Sequence, residues 1–112
     1  MIRMLVTINI SKGWKTWSEM AKGLEPQMNE QGAKMLWAGA NPDETAVYVL
    51  AEMKDPSFVK SFGERPDIVA IREAAGADVA STTPLTQIDQ YFMGEDYKSK
   101  FRLMCEEEKR TH

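Results

Sequence analysis

The segment Thr45-Ala46-Val47-Tyr48-Val49-Leu50-Ala51-Glu52-Met53 constrains the fold of this chain more than any other. It is rich in β-branched and aromatic residues and follows the polar turn Ala40-Asn41-Pro42-Asp43-Glu44, so it reads as a strand. Side chains alternate along a strand, which puts Val47, Val49, Ala51 and Met53 on one face and Tyr48 and Leu50 on the other. Both faces are apolar and both want cover. A layer of helices covers only one of them.

The rest of the chain supplies that layer and the neighbouring strands. Ile2 to Ile10 alternates with Ile2, Met4, Val6, Ile8 and Ile10 on a face to be buried, and Arg3, Leu5, Thr7 and Asn9 on a mixed one. The mixed face suits a wet cavity or a second sheet. After Ser11, the expected N-cap, the spacing changes to Trp14, Trp17, Met20 or Ala21, Leu24 and Met28, a helical stripe closed at Gly32. Gly23 and Glu25-Pro26 predict a kink or two helical pieces in its middle. Ala33 to Gly39 is extended and forms a hairpin with the segment above. Asp55-Pro56 starts a second helix with Phe58, Val59 and Phe62 inside. Gly63 to Arg65 interrupts it, and Pro66 restarts it with the stripe Ile68, Ile71 and Ala75, ending at Gly76. A threonine-rich stretch from Val79 to about Phe92 carries Pro84, which belongs on an edge or at a bulge.

The order is β-α-β-β-α-β, the split βαβ or ferredoxin-like α+β motif: a four-stranded antiparallel sheet with its helices on one face. Tyr48 and Leu50, with Leu5 and Trp37 or Leu36, then place apolar area on the open face. A large patch of this kind favours association, and two sheets facing each other in a homodimer resolve it.

Composition narrows the function classes. The chain has 112 residues, 43% of them apolar and 28% charged, with a net charge of −3, which fits one globular core and carries no nucleic-acid-binding field. Ile2 to Ile10 is too short, and too interrupted by Arg3, Thr7 and Asn9, for a signal core or a membrane span. The single cysteine, Cys105, fits a reducing cytoplasm. The single histidine is His112, the last residue, so metal chemistry and Ser/His/Asp or Cys/His catalysis are disfavoured and no cofactor is expected. Glu52 and Asp89 are the carboxylates that would serve as general bases if buried.

The element order, Trp17 early in the first helix, the strand "AKMLWAG" after Gly32, the strand "AVYVLAEMKD" running into a helix and the closing "STTPLTQID" together resemble the dimeric α+β-barrel superfamily, over about residues 1–92. That superfamily includes antibiotic-biosynthesis-monooxygenase-like proteins and small bacterial proteins of unknown function. The resemblance implies homodimers with pockets between sheet and helices that serve, in different members, cofactor-free oxygenation of aromatics, haem binding, lactone isomerisation or no known reaction. Haem-degrading members need an interior axial histidine, which this chain lacks.

Within that frame the candidate ligand-binding residues are Asn9, Trp14, Trp37, Tyr48, Arg65 and Arg72. Trp17 lies near the centre of the helical stripe and is expected to pack on the sheet, whereas Trp14, in the first turn, borders an entrance with its indole N–H available. Asn9, Trp37, Tyr48, Arg65 and Arg72 are polar or aromatic groups expected to converge at one end of the sheet. Against this, Arg65 and Arg72 also read as surface charges and Tyr48 as an interface residue.

Residues 93–112 form a separate C-terminal segment in which Tyr97, Phe101 and Met104 or Cys105 recur at helical spacing among charges. A helix over 95–108 is expected, docked on its own domain or on the dimer partner, with a solvated tail as the alternative. Two functions follow: a non-catalytic small-molecule-binding or assembly domain acting on a small hydrophobic ligand, or a cofactor-independent oxygenase or isomerase of a hydrophobic or aromatic metabolite. A missing acid–base pair favours the first. A cavity lined by Asn9, Tyr48 and an arginine would favour the second.

Overall fold

The computed structural model describes residues 1–90. The domain boundary at 92 and the expected helix over 95–108 lie outside the described residues. The elements are β1 (Ile2–Asn9), α1 (Gly13–Glu30), β2 (Lys34–Ala40), β3 (Ala46–Met53), α2 (Ser57–Gly63), α3 (Pro66–Ala74), a 3-10 turn (Val79–Ser81) and β4 (Thr83–Gln87). The strands form one antiparallel sheet in the order β2-β3-β1-β4. This α+β arrangement, with three helices among the described residues, is compatible with a ferredoxin-like fold.

Register decides which side chains meet the helices. In the central pair Met4 lies opposite Ala51, Val6 opposite Val49 and Ile8 opposite Val47, all of them buried. They pack against Trp17, Ala21, Leu24 and Met28 of α1, Phe62 of α2 and Ile68 of α3. The alternate residues form the second face: Leu5 opposite Leu50, Thr7 opposite Tyr48, and Arg3 opposite Glu52 with 3.5 Å between guanidinium and carboxylate. Trp37 and Gly39 of β2 continue that face opposite Leu50 and Tyr48.

Both long helices end as their glycines predict. Gly32 and Gly76 have φ of +82° and +88°, and the N–H of the next residue returns to the helix, Ala33 to the carbonyl of Met28 at 2.9 Å and Ala77 to that of Arg72 at 3.0 Å.

Several local expectations are corrected. α1 is one continuous helix through Pro26. Pro26 and Lys22 are both exposed, so water can satisfy the Lys22 carbonyl that loses its donor. Ser11 does not cap α1; its hydroxyl donates to the Gly76 carbonyl at 3.2 Å. The capping acceptor comes from the β2–β3 turn instead, where Glu44, at φ +55°, accepts the Trp14 backbone N–H at 2.7 Å. A carboxylate there also sits at the positive end of the helix. In α3 the inward stripe is Ile68, Arg72 and Ala75, while Ile71 is 40% exposed. The last strand is shorter than expected, five residues, with Pro84 on the sheet edge beside a register shift at Leu5/Val6.

Candidate functional site

Between sheet and helices lies an apolar pocket that is open to solvent rather than sealed. A cavity of about 110 Å³ lies against β1 and β3, bounded by Trp17, Met20, Leu24 and Met28 of α1, Met35 of β2, Met53 of β3 and Phe58 and Phe62 of α2. Its wall is apolar apart from Arg72 and Thr82. Methionine at four wall positions is itself informative, because an unbranched thioether fills irregular gaps and yields to an incoming group.

Arg72 is brought there by α3. Helical geometry sets Arg72 four residues from the fully buried Ile68, on the same face, so the side chain runs inward and is only 8% exposed. Its guanidinium donates to the Gly63 carbonyl at 3.0 Å and to the Thr82 hydroxyl. Burial weakens its hold on the proton, and the negative charge of Glu64 acts the other way. Gly63 is where α2 breaks, and a Cβ built there would stand 2.9 Å from the Arg72 Nη1. The bare backbone of Gly63 leaves the room that the guanidinium occupies.

The remaining predicted residues are distributed elsewhere. Arg65 stays at the surface, its guanidinium 2.7 Å from Asp67 and stacked 5.4 Å from the Phe62 ring centre. The Asp67 hydrogen bond raises the Arg65 pKa, and the same contact lowers that of Asp67. Trp14 stacks on Trp17 with ring centres 5.6 Å apart and faces a shallow groove shared with Ser18, Lys22, Glu25 and Trp37. Trp37 and Tyr48, 45% and 37% exposed, belong to the second face of the sheet, away from Arg72. Asn9 is exposed at the end of β1, where its backbone N–H donates to the Ser81 hydroxyl at 2.8 Å. The sheet therefore divides the expected cluster, with Arg72 inside and Trp37 and Tyr48 outside. Trp17 does two things at once, being core and cavity wall.

Three wall residues escape the sequence reading. Met35 and Met53 look like ordinary strand residues, and nothing in "STTP" distinguishes Thr82 from its neighbour Thr83. The readable signal is Gly63 interrupting an apolar helical stripe nine residues before an arginine.

Neither carboxylate suggested as a base meets the cavity: Glu52 faces Arg3, and Asp89 is exposed and accepts from Gln87 at 3.2 Å. Among the described residues no three His, Cys, Asp or Glu side chains gather as a metal-binding group, and no helix is long and apolar enough to cross a membrane. No family model, no curated protein and no solved structure matches the chain.

Proposed function

We propose that this chain is a non-catalytic binding domain that holds a small hydrophobic molecule between its sheet and its helices. The observation that carries this reading is the 110 Å³ methionine-lined cavity. Protein interiors are otherwise close-packed, and an apolar cavity of about 150 Å³ takes up benzene, so a space of 110 Å³ accepts an aromatic ring only as its flexible methionines give way. The composition of the wall supports binding over turnover, since among the described residues it has neither carboxylate, imidazole nor thiol to move a proton. The oxygenase or isomerase alternative would need such a group, or an oxidisable substrate that supplies its own reactivity.

The test is thermal unfolding with and without toluene, in the native sequence and in Ala21→Leu, which places three more carbons on the cavity wall. A ligand that binds only the folded state raises the midpoint. Toluene is expected to raise it for the native sequence and not for Ala21→Leu; equal responses would remove the cavity from the account.

A second reading concerns assembly, and the exposed aromatics of the second sheet face favour it. Trp37, buried Leu50 and half-buried Leu5 form one row, flanked by Tyr48 on one side and on the other by a row bearing both charge signs in Arg3, Glu52 and Lys34. An antiparallel sheet that is apolar on this side suits a second copy of itself, and opposite charges in one row allow two-fold pairing without like-charge opposition. Native mass spectrometry reports subunit count and any co-purified ligand in one measurement. A dimer that Tyr48→Glu converts to a monomer is expected; a monomer in the native sequence contradicts this reading and leaves the cavity reading standing.

A further inference from the structure

We propose that the cavity is a receptor for a small monocarboxylate, whose apolar body lies among the methionines and whose carboxylate sits on Arg72, approached through the groove between α2, the 3-10 turn and β4. The inference rests on the cavity being a binding site and adds the chemistry of its ligand.

Arg72 is a buried cation whose hydrogen-bond acceptors are both neutral, the Gly63 carbonyl and the Thr82 hydroxyl. The ion pairs among the described residues are Arg3–Glu52 and Arg65–Asp67, so no carboxylate of the described residues stands within 4.0 Å of its guanidinium. Glu64 acts on this charge only from a distance, without a hydrogen bond, so the buried guanidinium is incompletely compensated and an anion in contact with it reduces the cost of its burial. A guanidinium offers five N–H donors in a planar fork that matches a carboxylate; two are engaged here.

The position of Arg72 matches this role. It borders the apolar pocket and also a second groove formed by Pro56, Val59, Lys60, Glu64, Thr82 and Pro84. An anion on the guanidinium can therefore direct an apolar body inward while its polar end arrives from solvent. Within the groove Lys60 adds a positive charge and Glu64 a negative one. Two cations against one carboxylate favour a monoanion, and Glu64 opposes a second negative charge. Gly63 acts as a positioning residue, since a side chain there would move the guanidinium.

The experiment is a calorimetric titration of the full chain at neutral pH with two probes of similar shape, benzoate and benzyl alcohol. Benzoate is expected to bind about tenfold tighter or more, the order of gain from one charge-assisted pair. Arg72→Met should bring the ratio close to one while benzyl alcohol still binds. Gly63→Ala, which keeps the charge and displaces it, should weaken benzoate and spare benzyl alcohol, and it carries the test if Arg72→Met does not fold. Equal affinity for the two probes in the native sequence, or a ratio that neither variant changes, overturns the carboxylate assignment and leaves the cavity as a neutral-ligand site. Binding of neither probe removes the cavity reading and this proposal together.

Discussion

At the scale of single residues, side chains at helical spacing divide between packing and the site. Trp17 is 3% exposed, stacks on Trp14 and closes one wall of the cavity. Truncating it to alanine merges its volume with space that is already empty, so little collapse can compensate. Trp17→Ala is expected to cost about 3–5 kcal/mol, read from the urea midpoint at constant slope. Arg72 shows why a charge pattern alone misplaces a residue. Periodicity admits either Ile68-Ile71-Ala75 or Ile68-Arg72-Ala75 as the inward stripe of a nine-residue helix, and hydrophobicity selects the first. The fold selects the second because Gly63 and Thr82 supply acceptors for the guanidinium.

At the scale of elements, glycine positions give the sharpest expectations. Gly23 lies inside α1 with open space around its missing side chain, so Gly23→Ala should stabilise by about 0.5–1 kcal/mol. Gly32→Ala should destabilise, because φ there is +82°, although its Cβ would stand 3.8 Å from the nearest atom, the Lys54 Cε. Gly76→Ala should destabilise more, since positive φ is joined by an approach of 2.9 Å to the backbone nitrogen of Lys12. Thermal midpoints ordered Gly23→Ala, native, Gly32→Ala, Gly76→Ala from highest to lowest would agree with the structure; a midpoint for Gly76→Ala above that for Gly32→Ala would not. Helix starts give a pH dependence. Asp55 accepts from the Ser57 hydroxyl and N–H at the start of α2, and Asp67 from Arg65 at the start of α3; each contact lowers the carboxyl pKa in the fold. The unfolded chain then holds those protons more tightly, so their contribution is complete above the ordinary carboxyl pKa of about 3.9 and is lost as pH falls below it. Asp55→Asn should flatten the acid limb of a urea-midpoint profile below that pH; an acid limb identical to the native one would contradict the contact.

The succession of strands and helices, the two helix-ending glycines and the placing of Pro84 on an edge or at a bulge were all legible in the sequence, because each rests on local chemistry: alternation, positive φ, a missing N–H. The uninterrupted course of α1 was not, since it depends on solvent reaching the Lys22 carbonyl. Nor was the cap from Glu44, which is thirty residues distant in sequence. The candidate site was half legible for the same reason. Arg72 and Gly63 were visible as a charge and a break, and alternation already set Tyr48 on the open face; what the sequence did not show is that α3 turns Arg72 rather than Ile71 toward the helix-covered face.

At the scale of the whole molecule, the sheet separates two surfaces with different work to do. One face and the helices border an apolar pocket, open to solvent, that a close-packed interior would lack; the other presents Trp37 and Tyr48 outward. In the proposed function the inner face holds a ligand and the outer face meets a second copy. These are independent claims, and the first is central. Its most direct test is a methyl spectrum of the protein labelled with 13C at the methionine methyl groups, titrated with toluene. Met20, Met28, Met35 and Met53 line the cavity, whereas Met4 is buried elsewhere in the core and Met1 is exposed. Saturable shifts of the four pocket methyls are expected, with intermolecular NOEs to the toluene ring, while Met1 and Met4 hold their positions. Unchanged cavity methyls at millimolar toluene, or shifts confined to Met1 and Met4, would contradict that claim.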